Sequence, residues 1–344
     1  QYWVAALDLK EADAAAKVYS AAASRVKYFA RDEECSRFHV PMDLAFRSFD
    51  SLIRVVDDLA KNDPQVETTL RRVEKQLREF TENPEFAVVS RGKTYSWSKY
   101  MHEFEWDEGK YPKGRGITEN LQLMMSTVGK LDEEVRTKLA SLQEAKTAQS
   151  AMIKEGSYGI TDLIAVLTPS KVSADDFVET EHLTTVVVVV PKDTAADLLS
   201  SYEEADNGVV PETCKKLDRV QADKDGNSLY RVVLFKKAVP GFRQAIGAKG
   251  KKFVVREFVY SRPAYEEYAA KRKGLATDIE KQETLCKMVC KAAFSDMFLS
   301  WMHVKAMRTF VESVLRYGVT STGSPHFVAM LMKAPTQAGQ QASI

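Results

Sequence analysis

The residues best equipped for metal or acid–base chemistry in this 344-residue chain are five histidines and four cysteines. His39, His102, His182, His303 and His326 are spaced too widely to form an HExxH or HxH metal motif. His303 follows Leu299 by one helical turn inside an apolar pattern, so it reads as a packed or capping histidine rather than a ligand. Cys35, Cys214, Cys286 and Cys290 are too sparse for a disulfide framework. Cys286 and Cys290 stand four apart. They are either a redox or metal pair or, more commonly for such residues, two small apolar side chains in a helix seam, as suits a reducing cytosol. The phosphate candidate is Gly247-Ala-Lys-Gly-Lys-Lys252. A P-loop needs glycine where Ala245 stands and Ser or Thr where Lys252 stands, so a Walker-type site is excluded and only a looser anion site stays open. No G-x-S-x-G elbow and no local pair of carboxylates suggests covalent or acid–base catalysis, and no cofactor or metal is expected.

Charge is distributed unevenly in the middle of the chain. Residues 231–256 hold eight basic side chains and no acidic one, whereas residues 162–230 hold fourteen acidic and six basic. A solvated face and a docking surface for an acidic partner are equal readings of the basic run. On the second reading the contact residues are Lys236, Lys237, Arg243, Lys249, Lys251 and Lys252. A second cluster is the aromatic loop Phe104-Glu-Trp-Asp-Glu-Gly-Lys-Tyr-Pro112. Its rings either pack the loop onto its own domain or offer a partner Trp106, Lys110 and Tyr111.

These residues must be positioned mostly by helices. Residues 12–31 are alanine-rich, and residues 46–60 carry an apolar stripe that Asn62-Asp63-Pro64 is expected to stop. A further helix is expected over residues 65–80, and strand, turn and short helix over 86–100. Residues 118–155 repeat Leu121, Met125, Val128, Leu131, Val135, Leu139 and Leu142 at close to 3.5, which predicts a helix packed on one partner, about 57 Å long. Its match is residues 275–316, about 60 Å, with Gly274 marking a break and Gly318 a C-cap. Between them Leu183–Val190, 230–235 and 252–260 read as strands, and 195–204 and 240–246 as short helices. The expectation is a predominantly helical α+β dumbbell. Its foot is 1–117 with 301–344, its neck helices are 118–160 and 263–300, and its head is 161–262.

Bulk properties narrow the function classes. The net charge is +1, which gives no general attraction for nucleic acid or a membrane surface. Val186–Val190 is the longest aliphatic run, far short of the ~20 residues of a membrane span. No basic-then-apolar leader is visible at the start, and the opening Gln1 leaves an upstream start open.

Several blocks carry a resemblance. They are Tyr2-Trp3, Phe38-His-Val-Pro41, Asp57-Asp-Leu-Ala-Lys61 and Phe104–Pro112 in the first part of the chain. Asp175-Asp-Phe-Val178, Thr185–Lys192, Val233–Val239, Phe242-Arg243 and Lys252–Phe258 follow in the middle. Trp301–Gly318 and His326–Met330 complete the set. In that order they resemble the C subunit of the V-type proton ATPase (V-ATPase), a peripheral-stalk component of the V1 sector without an active site. The resemblance implies a foot, a helical neck and an α/β head. It implies partners too: two E–G stalk heterodimers and the cytosolic N-terminal domain of the a subunit, with actin as a further one. It also implies a cytoplasmic, peripheral location and a stator role in reversible assembly. Past Pro335 the family continues for several dozen residues that finish the foot, whereas here the chain reads Gln-Ala-Gly-Gln-Gln-Ala-Ser-Ile344, and the insert Thr320–Ser324 is longer than usual. An independent actin-binding scaffold is the alternative, and a nucleotide-binding enzyme using the lysine loop is a third.

Overall fold

The computed structural model describes residues 2–9, 15–27, 35–82, 84–153, 157–248, 253–321 and 323–333. The chain divides into two compact units, Gln1–Ala140 with Gln282–Ile344, and Ser141–Lys281. It is predominantly helical with small sheets, the α+β class expected.

The first unit opens with β1 (Tyr2–Asp8), α1 (Ala15–Lys27) and β2 (Cys35–Arg37), then α2 (Phe49–Phe80). Ser48 caps α2 through a reciprocal box with Ser51, and Leu52, Val55, Leu59, Val66, Leu70, Val73 and Leu77 line its buried stripe. The expected stop at Asn62-Asp63-Pro64 does not occur, because α2 runs through Pro64 as one helix of 32 residues. Tertiary bonds to Asp63, described below, offset the hydrogen bond that the proline removes. Next come β3 (Ala87–Ser90), β4 (Lys93–Ser96) and α3 (Trp97–His102). The expected turn is a hairpin turn with positive φ at Arg91 (49°) and Gly92 (75°), and the segment after it, read only as turn and helix, supplies a second strand. Then α4 (Ile117–Ile153) begins, and Leu121, Met124, Val128 and Val135 join the core of this unit.

The second unit contains α5 (Leu163–Val166), β5 (Leu183–Val190), α6 (Ala195–Ser201), β6 (Lys215–Lys216), β7 (Ser228–Phe235), α7 (Val239–Ala248) and β8 (Val254–Glu257). The strands form one antiparallel sheet in the order β6-β7-β5-β8. The valine run of β5 serves both faces, as its two-residue side-chain period requires. Val186, Val188 and Val190 pack with Leu198, Phe242 and Ile246, while Val187 and Val189 pack with Leu163, Leu167 and Phe177.

The long helix α8 (Arg262–Tyr317) follows. It holds 56 residues and passes through Gly274, where a break was expected. A lone glycine costs only about 1 kcal/mol in a helix, which the packing of so long an element offsets. It ends at Gly318, whose φ of +80° and N–H donated to Val314 O at 2.9 Å make the C-cap that the sequence predicts. Finally β9 (Phe327–Lys333) takes the centre of the sheet β1-β9-β2, with Tyr2 opposite Lys333. Its residues Phe327–Leu331 are all buried.

Candidate functional site

Two helical faces of the first unit gather its chemistry-bearing side chains. On α8, His303 is 1% exposed. Its Nε2 accepts the backbone N–H of Asp107 at 2.9 Å, so Nδ1 carries the ring proton and donates it to Leu299 O at 2.7 Å. Burial lowers its pKa to about 4, so the ring is neutral at neutral pH, with both nitrogens committed to backbone. This geometry has no lone pair left for a metal or a substrate proton. The rings of Phe104, Trp106 and Tyr111 stand around the imidazole at centroid distances of 5.1, 5.0 and 4.8 Å.

The aromatic loop is therefore fastened to α8. Trp106 Nε1 donates to Tyr111 O at 2.7 Å, Tyr111 Oη bonds Ser300 Oγ at 3.1 Å, and Lys110 Nζ meets Asp296 Oδ1 at 3.0 Å. Trp106 and Tyr111 are buried, and burial also raises the Tyr111 pKa. As partner contacts, Trp106 and Tyr111 need correction: their rings pack the loop onto its own unit, the other use foreseen for them. Lys110 keeps an exposed, ion-paired head.

The second face joins α2 to α8. The Asp63 carboxylate, whose side chain is 3% exposed, accepts Trp301 Nε1 at 3.0 Å, Lys305 Nζ at 2.8 Å and Arg308 Nη1 at 2.8 Å. Lys305 also lies over the Trp301 ring. Arg308 extends the network to Glu312 at 2.7 Å. Sequence reasoning missed this cluster because Asp63 was read as helix-stop chemistry. The signal was there, since Leu59, Asp63, Val66 and Leu70 are spaced by four, three and four, placing a carboxylate on an apolar stripe. Beside it, Tyr2, Phe86, Trp97, Phe294, Phe298 and Trp301 line a groove of about 430 Å³.

The basic segment of the second unit is not a free field of positive charge. Arg231 Nη1 donates to the backbone carbonyl of Asp176, and Arg256 Nη1 to those of Tyr158 and Thr161, so both hold loops in place. Lys236 pairs with Glu179 at 2.6 Å and Arg243 with Glu257 at 2.6 Å. The bond from Lys236 is the leading reason that the Glu179 pKa is lowered. Lys237 is exposed. Lys249, Lys251 and Lys252 lie outside the described residues. The fold thus brings carboxylates from outside 231–256, and Glu257 at its border, onto a stretch whose sequence has none.

The cysteine pair is buried in the seam between α8 and α4, with Cys286 Sγ directed at Lys138 O at 3.3 Å. Burial pushes the Cys290 thiol up to about 11 and the Cys214 thiol up to about 12, the range of inert thiols. Among the described residues no three His, Cys, Asp or Glu side chains converge as a metal site, and no helix is long and apolar enough to cross a membrane.

Comparison with known proteins agrees with the resemblance seen in the sequence. The family profile of the V-ATPase C subunit matches residues 2–343. The V-type proton ATPase C subunit of Arabidopsis thaliana is 31% identical over 96% of this chain and 84% of its own length. That of Hordeum vulgare is 32% identical over 94% and 90%. The V-type proton ATPase C 1 subunit of Xenopus laevis is 32% identical over 87% and 75%. The solved cytoplasmic N-terminal domain of the V-ATPase I subunit, a homologue of the a subunit, aligns over 99% of this chain and 95% of that one. Its TM-score is 0.28 and its identity 12%, too slight a likeness to build on. The chain therefore belongs to the V-ATPase C subunit family, whose members are components of the V-type proton ATPase.

Proposed function

We propose that this chain is a non-catalytic stator subunit. On this reading it bridges E–G peripheral stalks and the cytosolic domain of the a subunit, and holds the V1 sector on Vo through cycles of assembly. Its location is then cytoplasmic, on the cytosolic face of the membrane that carries Vo. The observation that carries the reading is the family match over residues 2–343, at more than 30% identity to curated relatives. The division into two compact units agrees with a bridge, which needs two places to hold.

The side chains support a structural role. His303 is closed by two backbone bonds, and the Asp63 carboxylate is neutralised by two cations. Such groups fix helix to helix and loop to helix, which suits a part that transmits force. The exposed cations Lys236, Lys237 and Arg243, together with Lys249, Lys251 and Lys252, are the proposed contacts to an acidic stalk surface. Exposed ion pairs such as Lys236–Glu179 are worth only about 0–1 kcal/mol and can exchange partners.

The test is a reconstitution of the purified full chain with E–G heterodimer and with the cytosolic domain of the a subunit, read by size-exclusion chromatography with light scattering. Stoichiometric complexes with both are expected. No complex with either would overturn the bridging role.

A further inference from the structure

Among the described residues of the second unit, cations without an internal partner also lie outside the basic segment. A groove of about 630 Å³ is lined by Lys171, Ser173, Asp176, Lys215, Lys216, Leu217, Asp218, Arg219 and Arg231. Arg231 and Asp176 face each other at 3.5 Å and leave little net charge. Lys171, Lys215, Lys216 and Arg219 are exposed and make no ion pair or side-chain hydrogen bond among the described residues, and Asp218 alone opposes them. Four positive charges and one negative leave the groove at +3. All four cations lie in the part of the sequence with the acidic excess, so only folding reveals them.

We infer that this groove docks an acidic polypeptide segment. Three observations favour a polypeptide over a lipid surface or a phosphate. The site is a groove with a buried Leu217 in its lining rather than a flat patch. Asp176 and Asp218 interrupt the cations, which penalises a continuous anionic sheet but accommodates a chain of mixed side chains. Finally, Lys215–Lys216 is the edge strand β6, with β7 as its only sheet neighbour among the described residues, so backbone groups at the edge can bond a chain laid along it. On the stator reading above, on which this partner assignment rests, the segment belongs to a neighbouring component of the complex.

The test compares the full chain with a variant carrying Lys171→Glu, Lys215→Glu, Lys216→Glu and Arg219→Glu, and with a second variant carrying Gln at the same positions. Thermal melting identifies any variant that is not folded, and the Gln variant then replaces the Glu one. The probes are a fluorescent oligoglutamate peptide, phosphatidylserine vesicles and E–G heterodimer. Oligoglutamate binding should weaken about tenfold or more in the Glu variant and less in the Gln variant. It should also fall with added salt in the unmodified chain, because exposed charges are screened over about 8 Å at physiological ionic strength. Equal oligoglutamate affinity in all three proteins overturns the groove, and so does a four-site dependence confined to the vesicles. Should the unmodified chain fail to bind E–G, the stator reading fails while the oligoglutamate result still decides the groove. Equal E–G binding by all three leaves the stator reading standing and removes the groove from that contact.

Discussion

Arg308 and Asp63 meet at 2.8 Å although 245 positions separate them in the chain, and their contact joins the middle of α2 to α8. Asp63 is the buried member, and Lys305 and Trp301 complete its coordination from the same helix. A carboxylate so placed contributes by satisfying three donors at once. Its removal leaves two cations and an indole N–H with lost partners.

Asp63→Ala should therefore be among the most destabilising single changes in this unit. Breaking a buried ion pair by removing one partner costs about 3–5 kcal/mol. Lys305 and Arg308 are partly exposed and recover some hydration, so about 2–3 kcal/mol is expected. Arg308→Ala should cost less, since Lys305 still neutralises the carboxylate. Urea unfolding monitored by circular dichroism measures both, and an Asp63→Ala midpoint equal to that of the unmodified chain would refute the role.

Pro64 allows a separate test of α2. Inside a continuous helix a proline removes one hydrogen bond and costs about 3 kcal/mol relative to alanine. Replacing it also frees the unfolded chain, which returns roughly 0.4–1 kcal/mol of that gain. Pro64→Ala is accordingly expected to stabilise, by roughly 2–2.6 kcal/mol. Were residues 49–63 and 64–80 two helices with Pro64 in the first turn of the second, the change would be neutral or destabilising. The same urea titration distinguishes the two.

What the sequence made legible was whatever depends on local period and local caps. The valine run of β5, the seam of α4 and the Gly318 cap were all predicted and are present. Each is decided by side chains within a few residues of one another. The misreadings came where distant chain decides. Pro64 reads as a stop until Trp301, Lys305 and Arg308 are brought to Asp63. β9 went unread as a strand because its run Phe327–Leu331 is apolar on both faces and only its neighbours β1 and β2 define it. The ion pairs on the basic run were likewise not legible, because Glu179 and Glu257 reach Lys236 and Arg243 only in the folded chain.

His303 makes stability depend on pH. Burial lowers its folded pKa to about 4, against about 6.5 in the unfolded chain. The unfolded state thus binds the proton more tightly, so stability is fully present above pH ~6.5 and is lost as pH falls towards ~4. The gap corresponds to about 3 kcal/mol. His102, also lowered by burial and bonded to Ser36 Oγ at 2.7 Å, acts in the same direction. Denaturant titrations between pH 7.5 and 4.5 should show this decline. His303→Gln should be less stable at pH 7.5 yet have a shallower slope. A variant slope as steep as that of the unmodified chain would move the effect elsewhere.

The last prediction concerns the basic segment. Lys236 and Arg243 have carboxylate partners on their own unit, and Lys237 is exposed. Lys249, Lys251 and Lys252, outside the described residues, are proposed contacts on their sequence alone. Rim charges act chiefly on association rate and on salt sensitivity, whereas buried pairs set dissociation. Changing Lys249, Lys251 and Lys252 together to Glu should slow association with E–G heterodimer and flatten its dependence on NaCl. Adding Lys237→Glu should deepen both effects. Lys236→Gln should matter less, because Glu179 already competes for that ammonium. Stopped-flow association at low and high salt separates these outcomes. If the triple variant associates at the unmodified rate at both salt concentrations, the run is a solvated face, and the contact with the stalk is made by other residues.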